Sequence, residues 1–202
     1  MAKLSREQYA ELHCVVKSVR IAFPRVFEPD DAPGGKKAYS VQIRLFADNP
    51  EHMKIVEDLK TKMAKAAEYY WGQDAKRNLS RALENVTTKF LRKSDEGDYY
   101  FFSLKRRESD GAPRVVGRNR EALKQADGKI YSGCFANVVF DLWCYGGMKT
   151  ADGTRVPYGI SATLLGIQFV KDGDPFGGAS QAKDEDFEDL SGDEKEDDFD
   201  IL

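Results

Sequence analysis

The run from Gly133 to Tyr145 constrains the fold most. Cys134, Ala136, Val138, Phe140, Leu142 and Cys144 form an uninterrupted apolar set at every second position. The set between them, Phe135, Asn137, Val139, Asp141, Trp143 and Tyr145, mixes polar groups with large aromatics. A period of two belongs to a strand with one face in a core. The opposite face then carries rings that the core does not need.

Shorter alternating runs repeat the pattern. From His13, Val15, Val19, Ile21 and Phe23 fall on one face, interrupted by Lys17, with Ser18 and Arg20 on the other. Pro24 and Pro29 are expected to close this first strand, and residues 30–37 read as a flexible turn ending in Lys36 and Lys37. Tyr39, Val41, Ile43 and Leu45 alternate in a second strand, giving a hairpin with Arg20 and Arg44 on its outer face. Asn49-Pro50 is a helix start, and Met53, Val56, Leu59, Met63, Ala67 and Tyr70 recur at helical spacing up to Gly72, which predicts a helix over residues 50–71. Its apolar stripe reads as core packing. Residues 73–85 suit a shorter helix, residues 98–105 a two-sided aromatic strand, and residues 158–170 a last strand after a glycine-rich loop.

The fold expected from this order is mainly β: an antiparallel barrel of the OB type with one inserted helix and a disordered acidic tail. An SH3-like barrel or an open α+β sheet fits the same pattern. The domain reading is a body over residues 1–170, a linker over 171–183, and a tail over 184–202 too charged to fold alone.

Charge divides the chain in the same place. The whole sequence holds 31 Lys and Arg against 34 Asp and Glu, but residues 184–202 alone hold eleven acids and one lysine, leaving a basic body of 30 against 23. A basic body with an acidic tail suggests a polyanion ligand and a tail that competes for the same surface. No run of about 18 apolar residues is present to cross a bilayer, and Met1–Tyr9 lacks the apolar stretch of a signal peptide, so a cytoplasmic protein is expected. Cys14, Cys134 and Cys144 read as buried thiols. His13 and His52 belong to no metal or acid–base spacing, and neither a phosphate-binding loop nor a nucleophile elbow occurs. No enzyme, metal or cofactor is expected.

Binding is better supported. Sequence-independent single-strand binders combine cations along the phosphates with rings on which bases stack. Tyr99 and Phe101 precede Lys105, Arg106 and Arg107, and Arg114, Arg118 and Arg120 follow within a few residues. Trp143, Tyr145, Tyr99 and Phe101 are the stacking candidates. Arg20, Arg44, Lys36, Lys37, Lys105, Arg106, Arg107, Arg114, Arg118 and Arg120 are the phosphate candidates. The competing readings are a charge-driven duplex binder or protein adaptor without stacking, and a nuclease.

Several segments resemble a phage single-stranded-DNA-binding protein family, long catalogued as a domain of unknown function and related to the single-stranded-DNA-binding protein of phage T7. They are Tyr39-Ser40-Val41-Gln42-Ile43, the helix from Pro50 to Trp71, Gly133-Cys134-Phe135-Ala136-Asn137, Gly166-Ile167-Gln168-Phe169-Val170-Lys171-Asp172-Gly173 and the acidic terminus. The resemblance spans essentially the whole chain. It implies an OB-fold, coating of single strands in phage replication, recombination or repair, and replication proteins contacted through the tip Asp197-Asp198-Phe199-Asp200-Ile201-Leu202. Duplex DNA or RNA would bind more weakly, and a homo-oligomer is compatible. Tails of that type end in phenylalanine, which Phe199, Ile201 and Leu202 would here have to replace jointly.

Overall fold

The computed structural model describes residues 4–32 and 36–177. Helix α1 (Arg6–Leu12) leads into β1 (His13–Ala32) and β2 (Lys36–Phe46). Helices α2 (Pro50–Trp71) and α3 (Ala75–Glu84) follow, then β3 (Arg92–Lys93), β4 (Tyr99–Arg107), β5 (Arg114–Val116), β6 (Phe135–Tyr145) and β7 (Gly159–Lys171). Strand β1 pairs with β2 and β6, β2 with β4, and β6 with β7, while a parallel Lys105↔Thr163 pair joins β4 to β7 and closes the ring. Five strands, β1-β2-β4-β7-β6, thus make a closed barrel in the OB order, with α2 and α3 inserted between its second and third strands.

The alternating runs of β2, β4 and β6 face as their sequence requires. Val41, Ile43 and Leu45, Phe102 and Leu104, and the whole Cys134–Cys144 apolar set are buried in one core. The rings of Phe102 and Phe140 meet across it at 5.6 Å. Truncating either to alanine removes a fully buried ring, a change worth about 3–5 kcal/mol. The three cysteines are buried thiols. Burial pushes Cys14 up to about 11 and Cys144 up to about 12, so neither is a nucleophile at neutral pH.

Strand β1 departs from the expectation twice. Pro24 and Pro29 do not end it: pairing with β2 continues to Ala32, and each proline sits in a register shift, between Ala22 and Arg25 and between Arg25 and Asp30. A bulge is where a strand tolerates a residue without an N–H. Nor do Val15 and Phe23 share a buried face with Val19 and Ile21; they are 50% and 62% exposed, while Cys14 and Val16 are buried. Ser18, with φ of 55°, lies in the shift between Val16 and Val19, and one extra residue there moves the inward positions from even to odd numbers. Phe23, with φ of 50°, reverses the parity again before Val26 turns inward.

Helix α2 has the predicted bounds. The Asn49 side chain accepts hydrogen bonds from the Glu51 and His52 amides, Pro50 occupies the first turn, and Gly72 ends the helix with φ of 54°. Val56, Leu59, Met63 and Ala66 bury its apolar stripe in the barrel core. His52 is buried in the first turn, where its Nδ1 accepts the Phe46 amide at 3.0 Å and ties the helix start to the end of β2.

Burial holds the His52 pKa below its ordinary value of 6.5. The unfolded chain therefore takes up this proton first on acidification. The stability tied to neutral His52 is complete above about pH 6.5 and is lost as the pH falls through the depressed value. Urea midpoints measured from pH 8 to pH 5 are expected to fall below about pH 6.5, with a shallower fall in His52→Gln.

Candidate nucleic-acid interface

The outer face of β4 is the centre of the site. With Phe102 and Leu104 committed to the core, period two turns Tyr99, Phe101, Ser103, Lys105 and Arg107 outward. Strand β2 sets Phe46 opposite Tyr99, Arg44 opposite Phe101 and Ser40 opposite Lys105. The Phe46, Tyr99 and Phe101 rings run in series at 5.7 and 6.2 Å, and the Arg44 guanidinium lies 4.9 Å from the Tyr99 ring centre. These strands are the second and third of the barrel, the face on which OB-folds receive oligonucleotides.

From this centre the surface extends in two directions. Across β1, register places Arg20 opposite both Arg44 and Phe135, and Phe135 opposite Lys171 on β7. On the other edge of β4, Arg92 of β3 pairs with Phe101. The resulting cross-strand row reads Arg92, Phe101, Arg44, Arg20, Phe135, Lys171. Two arginines directly opposite one another repel. Among the described residues, neither Arg20 nor Arg44 has a carboxylate within 4.0 Å. Like charges held side by side in this way leave a positive patch on the outer surface.

In the other direction the surface crosses the seam between β4 and β7. Trp143 pairs with Ser161 and Tyr145 with Gly159. A Cβ on Gly159 would lie 2.4 Å from the Tyr145 ring, so the glycine is what lets that ring lean over β7 toward β4. Phe101, Lys105 and Tyr145 consequently line one cleft of about 290 Å³, together with Lys89 and Arg92. A neighbouring cleft of about 610 Å³ is lined by Trp143, Lys36, Lys37, Lys105, Arg106 and Arg107, with Tyr9 and Tyr70 beside them. Lys105 and Ser161 belong to both. The Trp143 and Tyr145 rings are 5.6 Å apart. Burial raises the pKa of Tyr145, and that of Tyr70 to about 12, so both remain phenols able to donate a hydrogen bond.

The structure thus brings Tyr99, Phe101, Trp143, Tyr145, Arg20, Arg44, Lys36, Lys37, Lys105 and Arg107 onto one continuous surface. Arg106 points toward the barrel end and is occupied by the carbonyls of Gly111, Asp110 and Leu164. Arg114 and Arg120 line a separate cleft with Lys17, Val15 and Val139, and Arg118 lines another with Lys129 and Lys171. The tip Asp197–Leu202 lies outside the described residues. Sequence reasoning did not single out Arg92, Phe135, Lys171 or Tyr9. Phe135 carried the one available signal, as the first ring of the outward set of β6, whereas the others enter the site through pairing and packing. Among the described residues no three metal-ligating side chains come together, and no helix is long and apolar enough to cross a membrane.

A closed barrel in the OB order, with rings and cations over its second and third strands, has the architecture of the oligonucleotide-binding barrels. Residues 12–200 match the family described as Enterobacter phage Enc34, ssDNA-binding protein, and the chain belongs to that family. A curated relative, putative protein p50 of Acyrthosiphon pisum secondary endosymbiont phage 1, is 31% identical over 185 residues, covering 90% of this chain and 95% of its own. The single-stranded DNA-binding protein of bacteriophage Enc34 in complex with ssDNA has a similar fold, with a TM-score of 0.62 at 22% identity over 87% of this chain and 97% of its own. The single-stranded DNA-binding protein gp2.5 of bacteriophage T7 superposes with a TM-score of 0.50 at 14% identity, covering 94% of this chain and 98% of its own. At these identities the structural likeness speaks for the fold.

The role of Gly159 is open to test. In Gly159→Val the added side chain would meet the Tyr145 ring and is expected to displace it toward solvent. The ionisation of Tyr145 is expected to move down toward the ordinary tyrosine value near 10, followed by ¹³C NMR of labelled tyrosine through a pH titration.

Proposed function

We propose that this protein binds single-stranded DNA with little regard to sequence and coats it during phage replication, recombination or repair, in the host cytoplasm. The observation that carries this reading is the continuous surface over β2, β4 and β6, where aromatic rings alternate with cations and where, among the described residues, Arg20 and Arg44 have no carboxylate within 4.0 Å. Membership of a family described by ssDNA binding supports it. Bases stack on Tyr99, Phe101, Tyr145 and Trp143, each worth about 1–3 kcal/mol. Phosphates are met by Arg20, Arg44, Lys36, Lys37, Lys105 and Arg107, with release of their counterions. Arg114, Arg118 and Arg120 add positive field around this path, and Arg106 supports it by fixing the turn after β4. The activity is binding and not catalysis. Duplex DNA binds more weakly, because its stacked pairs hide the base faces on which this mode depends, and weaker binding of RNA is part of the same reading.

The acidic residues 184–202 compete with DNA for the basic face, and the tip Asp197–Leu202 serves replication partners. Deleting residues 184–202 is expected to tighten single-strand binding at low salt, with the difference shrinking as salt screens the tail. Equal affinity of the truncated and full-length proteins at low salt would remove the competitive role.

Titration of the full chain with a single strand of about 30 nucleotides and with the matching duplex, at two salt concentrations, tests the main reading. The sequence has two tryptophans, and Trp71 is packed edge-on against Tyr158 at 5.5 Å, so Trp143 should report stacking by quenching. The expected result is quenching by the single strand, lost in Trp143→Ala along with about 1–3 kcal/mol of affinity. Lys105→Ala should weaken binding and flatten the salt slope by about 0.7. Equal binding of both forms without quenching would favour charge-driven duplex binding instead.

A further inference from the structure

The chain beyond β7 does not leave the barrel at once. Residues 172–176 fold back across the start of β6, and the fit is close. A Cβ on Gly173 would fall 2.5 Å from the Gly133 carbonyl, and one on Gly133, whose φ is 116°, would fall 2.3 Å from the Asp174 carbonyl. Both positions face neighbouring backbone, so only glycine lets the two segments lie this near. The Tyr131 hydroxyl accepts the Gly173 amide at 3.0 Å, the Phe176 amide donates to the Ser132 carbonyl at 2.9 Å, and Arg20 donates to the Asp174 carbonyl.

This seat delivers one side chain to the interface. The Phe176 ring centre lies 4.3 Å from the Arg20 guanidinium carbon and 4.4 Å from that of Arg44, with the Phe46 ring 6.4 Å away. The two arginines that repel across β1 and β2 are thus bridged by a neutral aromatic face. Guanidinium groups also stack on nucleobases, which offer a flat π-face of similar kind.

We infer that the space between Arg20 and Arg44 is a nucleobase-stacking site, and that Phe176 is its internal occupant, displaced when an unpaired base arrives. The inference rests on the proposed single-strand binding, and it changes the role of the two arginines from phosphate contacts alone to the walls of a base site. It is distinct from competition by the acidic tail: the occupant is uncharged, lies before residue 184, and competes by stacking, which salt does not screen.

Full-length protein, Phe176→Ala and Phe176→Ala/Arg44→Lys are titrated with a short oligothymidylate at low and high salt. Phe176→Ala should bind about tenfold tighter, since two cation–π contacts no longer oppose the base, and the gain should persist at high salt. Lysine in place of Arg44 keeps the charge but not the plane, and should abolish that gain. In the unsubstituted protein, hydrogen exchange of the Phe176 amide should accelerate on DNA binding as its bond to Ser132 opens. Unchanged or weaker binding by Phe176→Ala, or a Phe176 amide that stays protected in the complex, overturns the inference while leaving single-strand binding in place. Failure of the unsubstituted chain to bind the oligonucleotide overturns the proposed function and this inference together.

Discussion

The bend in β1 is the constraint on which the rest of the structure depends. One strand of 20 residues pairs with β6 through its first part and with β2 through its last. A straight strand of that length would extend for about 65 Å and could not close a small ring. The left-handed residues Ser18 and Phe23 take up the curvature, and the register shifts around them decide which side chains look inward. Arg20 lies between these two breaks, which is why it emerges on the outer surface directly between Arg44 and Phe135.

Much of this was legible in the sequence where a segment obeys a single period. Strands β2, β4 and β6 and helix α2 have unbroken patterns, and the inward residues followed from them directly. Strand β1 was misread because parity across a bulge is set by backbone geometry that no side-chain pattern records; Val15 and Phe23 look like core residues in one dimension. The prolines misled for a related reason, since their preference for chain breaks is equally a preference for bulges. The rings and most of the cations of the surface were visible as clusters. The opposition of Arg20 to Arg44, the pairing of Arg92 with Phe101, and the lean of Tyr145 across Gly159 depend on register between segments far apart in sequence. Arg106 illustrates the converse, a charge in the densest basic run whose donors are taken up by carbonyls of its own turn and of β7.

The surface also shows how the barrel holds half-buried aromatic side chains on its outer face without losing order. Phe46, Tyr99 and Phe101 support one another in series, Trp143 rests against Tyr145, and Arg44 lies over Tyr99. Such contacts hold flat rings outward at little conformational cost, because the strand beneath is fixed by a fully packed inner face. Pre-organisation of this kind leaves more of the stacking energy available for an incoming ring.

The seam between β4 and β7 adds a mechanical property. A single pair, Lys105 with Thr163, joins two strands that run parallel, and Lys105 also lies where the two clefts meet. The barrel is therefore least reinforced directly beneath the path proposed for the strand of DNA. A polymer lying over that junction would act as a splint across it, and a barrel carrying its ligand would resist unzipping along this line more than an empty one, by the general rule that whatever binds the folded form holds it folded.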